Sequence, residues 1–163
     1  MALIIEDGSR VDGANSYVTA ATADEYIGTR STSWTSAGTT AKENALIEAG
    51  IYLNSLNWKG QKYSRDQFMS FPRLNFYDED GYLYANDVVP RRVEYAQIEA
   101  AVASVEGYSL LTNIKPTDRI KRKKIDVLEK EYFPGAASQK TTLAYVDALL
   151  KGMLVAHGTL VRS

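Results

Sequence analysis

One predicted helix, residues 90–106, limits the folds open to this chain more than any other segment. It begins at Pro90, where a missing N–H has no intrahelical partner to lose, and it stops at Gly107. One apolar stripe consists of Tyr95, Ile98, Val102 and Val105, and an opposite stripe of Val93, Ala96, Ala100 and Ala103. A helix with two apolar faces has to lie between other elements, so the sequence predicts a helical core around it.

Two further helices are predicted before it, over residues 23–30 and 40–56. Thr22 is a good N-cap for the first, and Thr40 with Glu43 forms a capping box for the second. Gly50 lies on the apolar stripe of the second helix, which predicts that another backbone approaches the helix closely at this position.

Residues 57–89 are predicted to be mostly irregular, since Gly60, Pro72 and Gly81 interrupt them. A β-hairpin turn is predicted at Asp78–Gly81, because the Asp-Gly pair supplies the positive φ that such turns need.

Downstream of the central helix the signals are weaker. Ile125 and Val127 alternate with polar residues and predict a strand or a short hairpin, and a last helix is predicted over residues 142–151. The predicted fold is therefore mainly α, a small helical bundle around the central helix with a small β-hairpin element. A single domain covers residues 1–163, with an extended arm over 1–19 and a tail over 152–163.

Composition excludes several classes of chemistry. The chain has no cysteine and one histidine, His157, so zinc sites and Ser-His nucleophiles are not expected. No catalytic motif or phosphate-binding loop is visible, and the expectation is a protein that is not an enzyme and carries no cofactor. No apolar run is long enough to span a bilayer, and the N-terminus lacks a basic region, so synthesis in the cytoplasm is expected.

The charges are segregated although the net charge is only −1. Acidic residues predominate in residues 71–99, and basic residues predominate in residues 115–130. The basic run at its centre includes Lys121, Arg122, Lys123 and Lys124. This run could contact nucleic-acid phosphate, but no aromatic residues interleave it, which favours a solvated or subunit-facing strand. Opposite patches on one protomer suit head-to-tail packing, which closes into a ring when the rotation allows.

A series of short motifs occurs in a recognisable order along the chain: Ala2–Gly8, Ala14–Val18, Ala23–Tyr26, Ala45–Ala49, Trp58-Lys59-Gly60, Gln67, Phe71-Pro72-Arg73, the Asp-Gly turn, Val89-Pro90 and Val146–Leu150. In this order the chain resembles the tailed-phage proteins labelled DnaT-like or single-stranded-DNA-binding, which are similar to head–tail connector (adaptor) proteins. Phe71 departs from the family, which more often has Trp at this position.

The resemblance implies a structural adaptor without catalytic activity. Such proteins form a homo-oligomeric ring, usually a dodecamer, beneath the portal protein in the neck of the virion. The ring joins the capsid to a tail-side neck or tail terminator protein, and DNA passes through its channel without sequence-specific binding. No membrane is involved, and the protein is made in the host cytoplasm.

The resemblance also suggests roles for particular residues. Four serve as structural anchors of the irregular segment: Trp58, Phe71, Pro72 and Arg73. Arg73 is expected to bind a carboxylate or a backbone carbonyl. Candidate contacts with the portal or a neighbouring subunit are Leu154, Val155, Leu160 and Val161 in the tail, Lys121, Arg122, Lys123 and Lys124 in the basic run, and Asp78 and Asp80 in the turn.

The alternative function is that of a single-stranded-DNA-binding protein, as the family label suggests. The basic run and the exposed members of the eleven tyrosines would then contact phosphates and bases. The near-zero net charge counts against this alternative, because it gives no overall attraction to nucleic acid.

Overall fold

The computed structural model describes residues 2–111 and 143–155, together with the backbone of two short strands between them. Five helices lie in these residues: α1 (Ala20–Ile27), α2 (Thr32–Ser36), α3 (Thr39–Asn54), α4 (Arg91–Val105) and α5 (Ala144–Leu149). Four short strands form two antiparallel pairs: β1 (Gln61–Lys62) with β2 (Arg73–Leu74), and β3 (Lys123–Ile125) with β4 (Leu128–Lys130).

Helix α4 is the centre of the fold and packs against α1, α2, α3 and α5. Val93, Ala96 and Ala100 are fully buried on one side of it, and Ile98 is fully buried on another. The prediction of a helix with two apolar faces at the centre of the core is therefore confirmed. The fold is mainly helical with small antiparallel β elements, as expected in outline.

A polar side chain lies at the middle of this central helix. Gln97 has no exposed surface, and its amide is fully used. Its Oε1 accepts the backbone N–H of Tyr17 (2.8 Å), and its Nε2 donates to the carbonyl of Leu46 (2.8 Å) and to Ser16 Oγ (3.0 Å). One amide thus ties α4 to α3 and to the N-terminal arm.

The close approach predicted at Gly50 is confirmed. A Cβ atom placed there would lie 2.5 Å from the carbonyl oxygen of Asn15 and 3.4 Å from Gln97 Nε2. The arm therefore lies directly on α3 at the one position without a side chain. Ala14, Tyr17 and Val18 of the arm are buried, and Ile5 pairs with Ser16 in a single parallel bridge.

Both predicted helix caps are wrong. Helix α1 begins three residues early, and its N-cap is Thr19, whose side chain accepts the N–H of Thr22. Helix α3 is capped by Gly38 without a side-chain hydrogen bond, so the predicted capping box does not form. The preceding Ser/Thr-rich loop contains the short helix α2, which Ser31 caps through the N–H of Trp34.

Two hairpins lie where the sequence predicts a turn or a short hairpin. Tyr77 and Leu83 form an antiparallel bridge around the predicted turn, and Gly81 has the expected positive φ of 86°. Downstream of the central helix, where the sequence predicts either a strand or a short hairpin, Ile125 pairs with Leu128 in the β3–β4 hairpin.

The start of the predicted tail packs against the core. Met153 is 2% exposed, and Leu154 forms an antiparallel bridge with Trp58. The N–H of Lys59 donates to the carbonyl of Met153 (3.1 Å), and the N–H of Val155 donates to the carbonyl of Asn57 (2.8 Å). Residues 152–155 are thus attached to the core, and 156–163 lie outside the described residues.

The contact at Gly50 predicts that alanine destabilises the protein at this position, which is the opposite of its usual effect inside a helix. Gly→Ala inside a helix normally stabilises by about 0.5–1 kcal/mol, but Gly50→Ala has to displace the Asn15 carbonyl. We expect Gly50→Ala to lower the free energy of unfolding by about 1–3 kcal/mol, measured by urea denaturation. Gly38→Ala, in open space at the N-cap of the same helix, is the control and should cost less. A Gly50→Ala protein as stable as the parent would contradict the packing of the arm.

Candidate nucleic-acid interface

An exposed segment between α3 and α4 combines cations with aromatic rings. In Lys59–Phe68, which we call the basic–aromatic segment, the side chains of Lys59, Lys62 and Arg65 are exposed and Asp66 is the one acidic residue. Tyr63 is 47% exposed and Phe68 is 54% exposed. Cations can neutralise phosphates, and exposed rings can stack on bases, so the segment has the two components of a single-strand binding surface.

Arg73 holds the base of this segment. Its Nε donates to the carbonyl of Lys59 (2.7 Å), its Nη1 to that of Ser70 (3.1 Å) and its Nη2 to that of Gly60 (3.0 Å). Burial lowers the pKa of the Arg73 guanidinium from its usual value. The carbonyls offset that cost, because they satisfy the planar donors of a charge removed from water.

The β1–β2 pair fixes the direction of the segment above Arg73. Lys62 lies opposite Arg73 in the register, and its Nζ donates to the backbone carbonyl of Gln67 (3.0 Å). Partial burial of the Lys62 ammonium against the Gln67 carbonyl and the neighbouring Arg73 charge lower the pKa of Lys62. Gln67 is itself buried, and its Nε2 donates to the carbonyls of Met69 (2.9 Å) and Pro72 (3.0 Å). The segment is therefore a braced loop whose ends are fixed by side chains.

An aromatic cluster lies beneath the loop. Phe71 is 1% exposed and packs edge-to-face on Trp58 and Phe76, with ring centroids 4.9 Å away in both cases. Trp58 Nε1 donates to the carbonyl of Leu53 (2.8 Å), and the Tyr17 hydroxyl accepts the N–H of Phe71 (3.0 Å). Burial raises the pKa of Tyr17. These contacts attach the loop to the helical core.

The N-terminal arm adds a fourth cation. Arg10 is exposed, and its guanidinium carbon lies 4.0 Å from the centroid of the Tyr63 ring. The buried carboxylate of Glu6 fixes the turn that presents Arg10, because it accepts the N–H groups of Gly8 (2.9 Å), Arg10 (2.8 Å) and Val11 (3.0 Å). The arm and the basic–aromatic segment thus form one surface.

The residues proposed as anchors lie together in this region. Trp58, Phe71, Pro72 and Arg73 are all buried, the Phe71–Pro72 peptide bond is cis, and Arg73 binds backbone carbonyls rather than a carboxylate. The anchoring role of these four residues stays a prediction.

The described residues among the proposed partner contacts belong to the Tyr77–Leu83 hairpin, to residues 154–155 and to β3. Asp80 is exposed and Asp78 is half-buried, with Asp78 Oδ1 accepting the N–H groups of Asp80 and Tyr82 within the hairpin. Leu154 is half-buried against the core, whereas Val155 is 51% exposed. Lys123 and Lys124 belong to β3, opposite Lys130 and Glu129. Lys121, Arg122, Leu160 and Val161 lie outside the described residues.

Sequence reasoning missed the basic–aromatic segment. Its cations recur at every third position, 59, 62 and 65, and its aromatic residues fall at 63 and 68. This is the interleaving of charge and aromatic ring that the run at 119–124 lacks. The alternation of cations and aromatic rings is therefore visible in the sequence. The glycine and proline residues of the same stretch indicate anchoring, and anchoring alone was predicted from them.

Other chemistry is not indicated in the described part of the chain. Within residues 2–111 and 143–155, no group of three His, Asp or Glu side chains is placed to bind a metal ion. No helix within these ranges is long and apolar enough to cross a membrane.

Comparison with known proteins gives one match. A family model described as "Putative DnaT-like ssDNA binding protein" matches residues 1–163, which is the whole chain. No curated protein and no solved structure matches the chain.

The role of Arg73 can be tested separately from any ligand. Arg73→Lys retains the charge but loses the planar fork that donates to the carbonyls of Lys59, Gly60 and Ser70. We expect a loss of about 1–3 kcal/mol in the free energy of unfolding and faster amide hydrogen exchange throughout residues 58–74. Arg65→Lys, on an exposed side chain of the same loop, is the matched control and should change neither measurement. Unchanged exchange in Arg73→Lys would show that the other contacts of the loop fix it without the Arg73 guanidinium.

Proposed function

The chain belongs to the DnaT-like family described as binding single-stranded DNA, and we propose that it binds single-stranded DNA through Arg10 and the basic–aromatic segment. The observation that carries the proposal is the stacking of Arg10 on Tyr63 beside Lys59, Lys62 and Arg65. The proposed role is binding without catalysis and without a cofactor.

The proposed interface separates two tasks. Its four cations neutralise phosphates, which supplies affinity that does not depend on sequence and falls with salt. The exposed rings of Tyr63 and Phe68 offer apolar faces to unpaired bases. A strand whose bases are unpaired can use both kinds of contact, whereas duplex DNA offers mainly its phosphates.

The near-neutral net charge does not oppose this proposal, because the relevant charges are local. Arg10 contacts Tyr63, and Lys59, Lys62 and Arg65 are exposed in the same segment as Tyr63, where Asp66 is the only acidic residue. A local positive surface attracts phosphate within about 10 Å at ordinary ionic strength, and more distant carboxylates are largely screened.

A second candidate function is the head–tail adaptor, and exposed apolar side chains favour it. Tyr82 is 73% exposed, Leu83 is 57% exposed and Tyr145 is 72% exposed. Large apolar side chains at several exposed positions are typical of surfaces that become buried against partners. In this proposal the chain forms a ring, of twelve copies in the related adaptors, between the portal and a tail-side neck or terminator protein in the virion. Its function there is structural, and DNA passes through the channel.

The DNA proposal predicts a salt-dependent affinity that maps to the basic–aromatic segment. Fluorescence anisotropy with a labelled oligothymidine should show binding at low salt. The triple variant Lys59→Gln/Lys62→Gln/Arg65→Gln should bind about tenfold more weakly, and its slope of log K against log salt concentration should be smaller in magnitude by about 2. The loss follows from three missing phosphate contacts.

Two comparisons make the result decisive. Arg91→Gln/Lys151→Gln, which removes exposed cations elsewhere, should leave the affinity unchanged. Neutralising Lys121 to Lys124 tests the other basic run, and a loss confined to that variant would contradict the proposed interface. A flat titration of the parent protein at low salt would remove the DNA proposal altogether.

The adaptor proposal predicts a role for residues 156–163. The core is expected to survive a truncation after Val155, because Met153 and Leu154 pair with the chain around Trp58. We expect the truncated protein to fold with an unchanged melting temperature but to be missing from assembled particles. Electron microscopy of particles made with the parent protein should show a ring beneath the portal. A truncated protein that is retained in particles would contradict the role of these residues.

A further inference from the structure

We propose that the Arg10–Tyr63 pair is a preformed base-stacking site, in which a single-stranded nucleobase lies on the Tyr63 ring. This inference rests on the proposed DNA binding and adds which chemical part of the ligand each residue contacts. Tyr63 contacts the face of a base, and Arg10 contacts the phosphate next to it. The ligand class is therefore a single strand with accessible bases, independent of sequence.

The first argument is the exposure of the Tyr63 ring. The Arg10 guanidinium covers one face at 4.0 Å, yet 47% of the Tyr63 side chain remains exposed. This exposure leaves part of Tyr63 accessible to a second planar group, and the proposal places that group on the ring face opposite the guanidinium. Nucleobases present such a group, and each stacked base contributes substantially to single-strand affinity.

The second argument is the chemistry of a stacked guanidinium. Its charge attracts the π face of the ring, but its N–H donors lie in the guanidinium plane and point outward. Those donors remain available for a phosphate oxygen, which they can bind through two N–H groups. One arginine can therefore stabilise the tyrosine and hold the backbone of the nucleotide that stacks on it.

The third argument is that the backbone of Arg10 is fixed before any ligand arrives. Arg10 has a φ of 66°, a left-handed conformation that is uncommon for a residue with a side chain. The three N–H groups that donate to the Glu6 carboxylate maintain it, and Gly8 lets the turn lie against the Asp87 carbonyl. A preorganised cation loses little freedom on binding, which favours affinity.

A second exposed ring follows in the same segment. Phe68 is 54% exposed and lies five residues after Tyr63, with Arg65 between them in sequence. Alternation of ring, cation and ring matches the alternation of base, phosphate and base in a single strand. We therefore assign the primary stacking contact to Tyr63 and the next one to Phe68.

The test compares base-bearing DNA with DNA that has no bases. The full-length protein is titrated with a labelled oligothymidine and with an abasic oligonucleotide of equal length and charge. We expect the abasic strand to bind the parent more than about tenfold more weakly, because it loses the contacts with both Tyr63 and Phe68. Tyr63→Ala should lose about tenfold for oligothymidine and nothing for the abasic strand. Tyr63→Phe should restore the affinity, since it keeps the ring. Arg10→Ala should weaken binding of both strands.

The controls separate this inference from the proposed function. Tyr82→Ala removes a still more exposed tyrosine from the acidic hairpin and should bind both strands like the parent. Tyr63→Ala should melt close to the parent temperature, because Tyr63 is 47% exposed and its ring lies outside the buried core. If the parent binds both strands equally, the stacking site is refuted while DNA binding stands. If neither strand binds, the stacking site and the proposed function are both refuted. A Tyr63→Ala protein with unchanged oligothymidine affinity likewise refutes the assignment.

Discussion

The rest of the structure depends on the amide of Gln97. It lies without solvent exposure on the central helix and makes three hydrogen bonds, two to the N-terminal arm and one to the carbonyl of Leu46 in α3. A buried amide that lost its partners would cost several kcal/mol, so only the observed position of the arm satisfies it. The arm in turn carries Glu6 and Arg10, and it reaches the basic–aromatic segment because the core fixes its path. The candidate site is thus a consequence of one buried polar residue.

The irregular chain between α3 and α4 is organised by a related principle, in which side chains replace regular backbone pairing. Buried backbone groups need partners, and β1 with β2 supplies few of them. Arg73 therefore binds carbonyls from both ends of the loop, and Asn54 at the end of α3 accepts the N–H of Ser70 (2.7 Å) and donates to the carbonyl of Phe68 (3.2 Å). Such a loop is held firmly at its base while its outer side chains stay exposed. That combination suits a binding surface.

The sequence predicted what periodicity encodes and missed what depends on distant partners. The central helix and the close contact at Gly50 follow from burial patterns, which local spacing reveals. The caps at Thr22 and Thr40 failed because several neighbouring Ser and Thr residues could serve, and tertiary packing selects among them. Gln97 has its partners 51 to 81 residues away, so no local pattern marks it as buried. The candidate site was missed for a similar reason, since Arg10 and Tyr63 are joined only by the folded arm.

The two proposed functions make different demands on the same surface. An adaptor channel has to let duplex DNA move, and duplex bases are stacked inside the helix, so only the cations around Lys62 could contact it through phosphates. A single-strand binding protein has to bind its ligand tightly, and exposed aromatic rings that stack on bases serve only that purpose. A duplex channel would gain nothing from the exposure of Tyr63 or from the left-handed turn that places Arg10 on it. The Arg10–Tyr63 pair therefore favours binding of a single strand over passage of a duplex. The exposed apolar residues of the hairpin and α5 remain available for assembly.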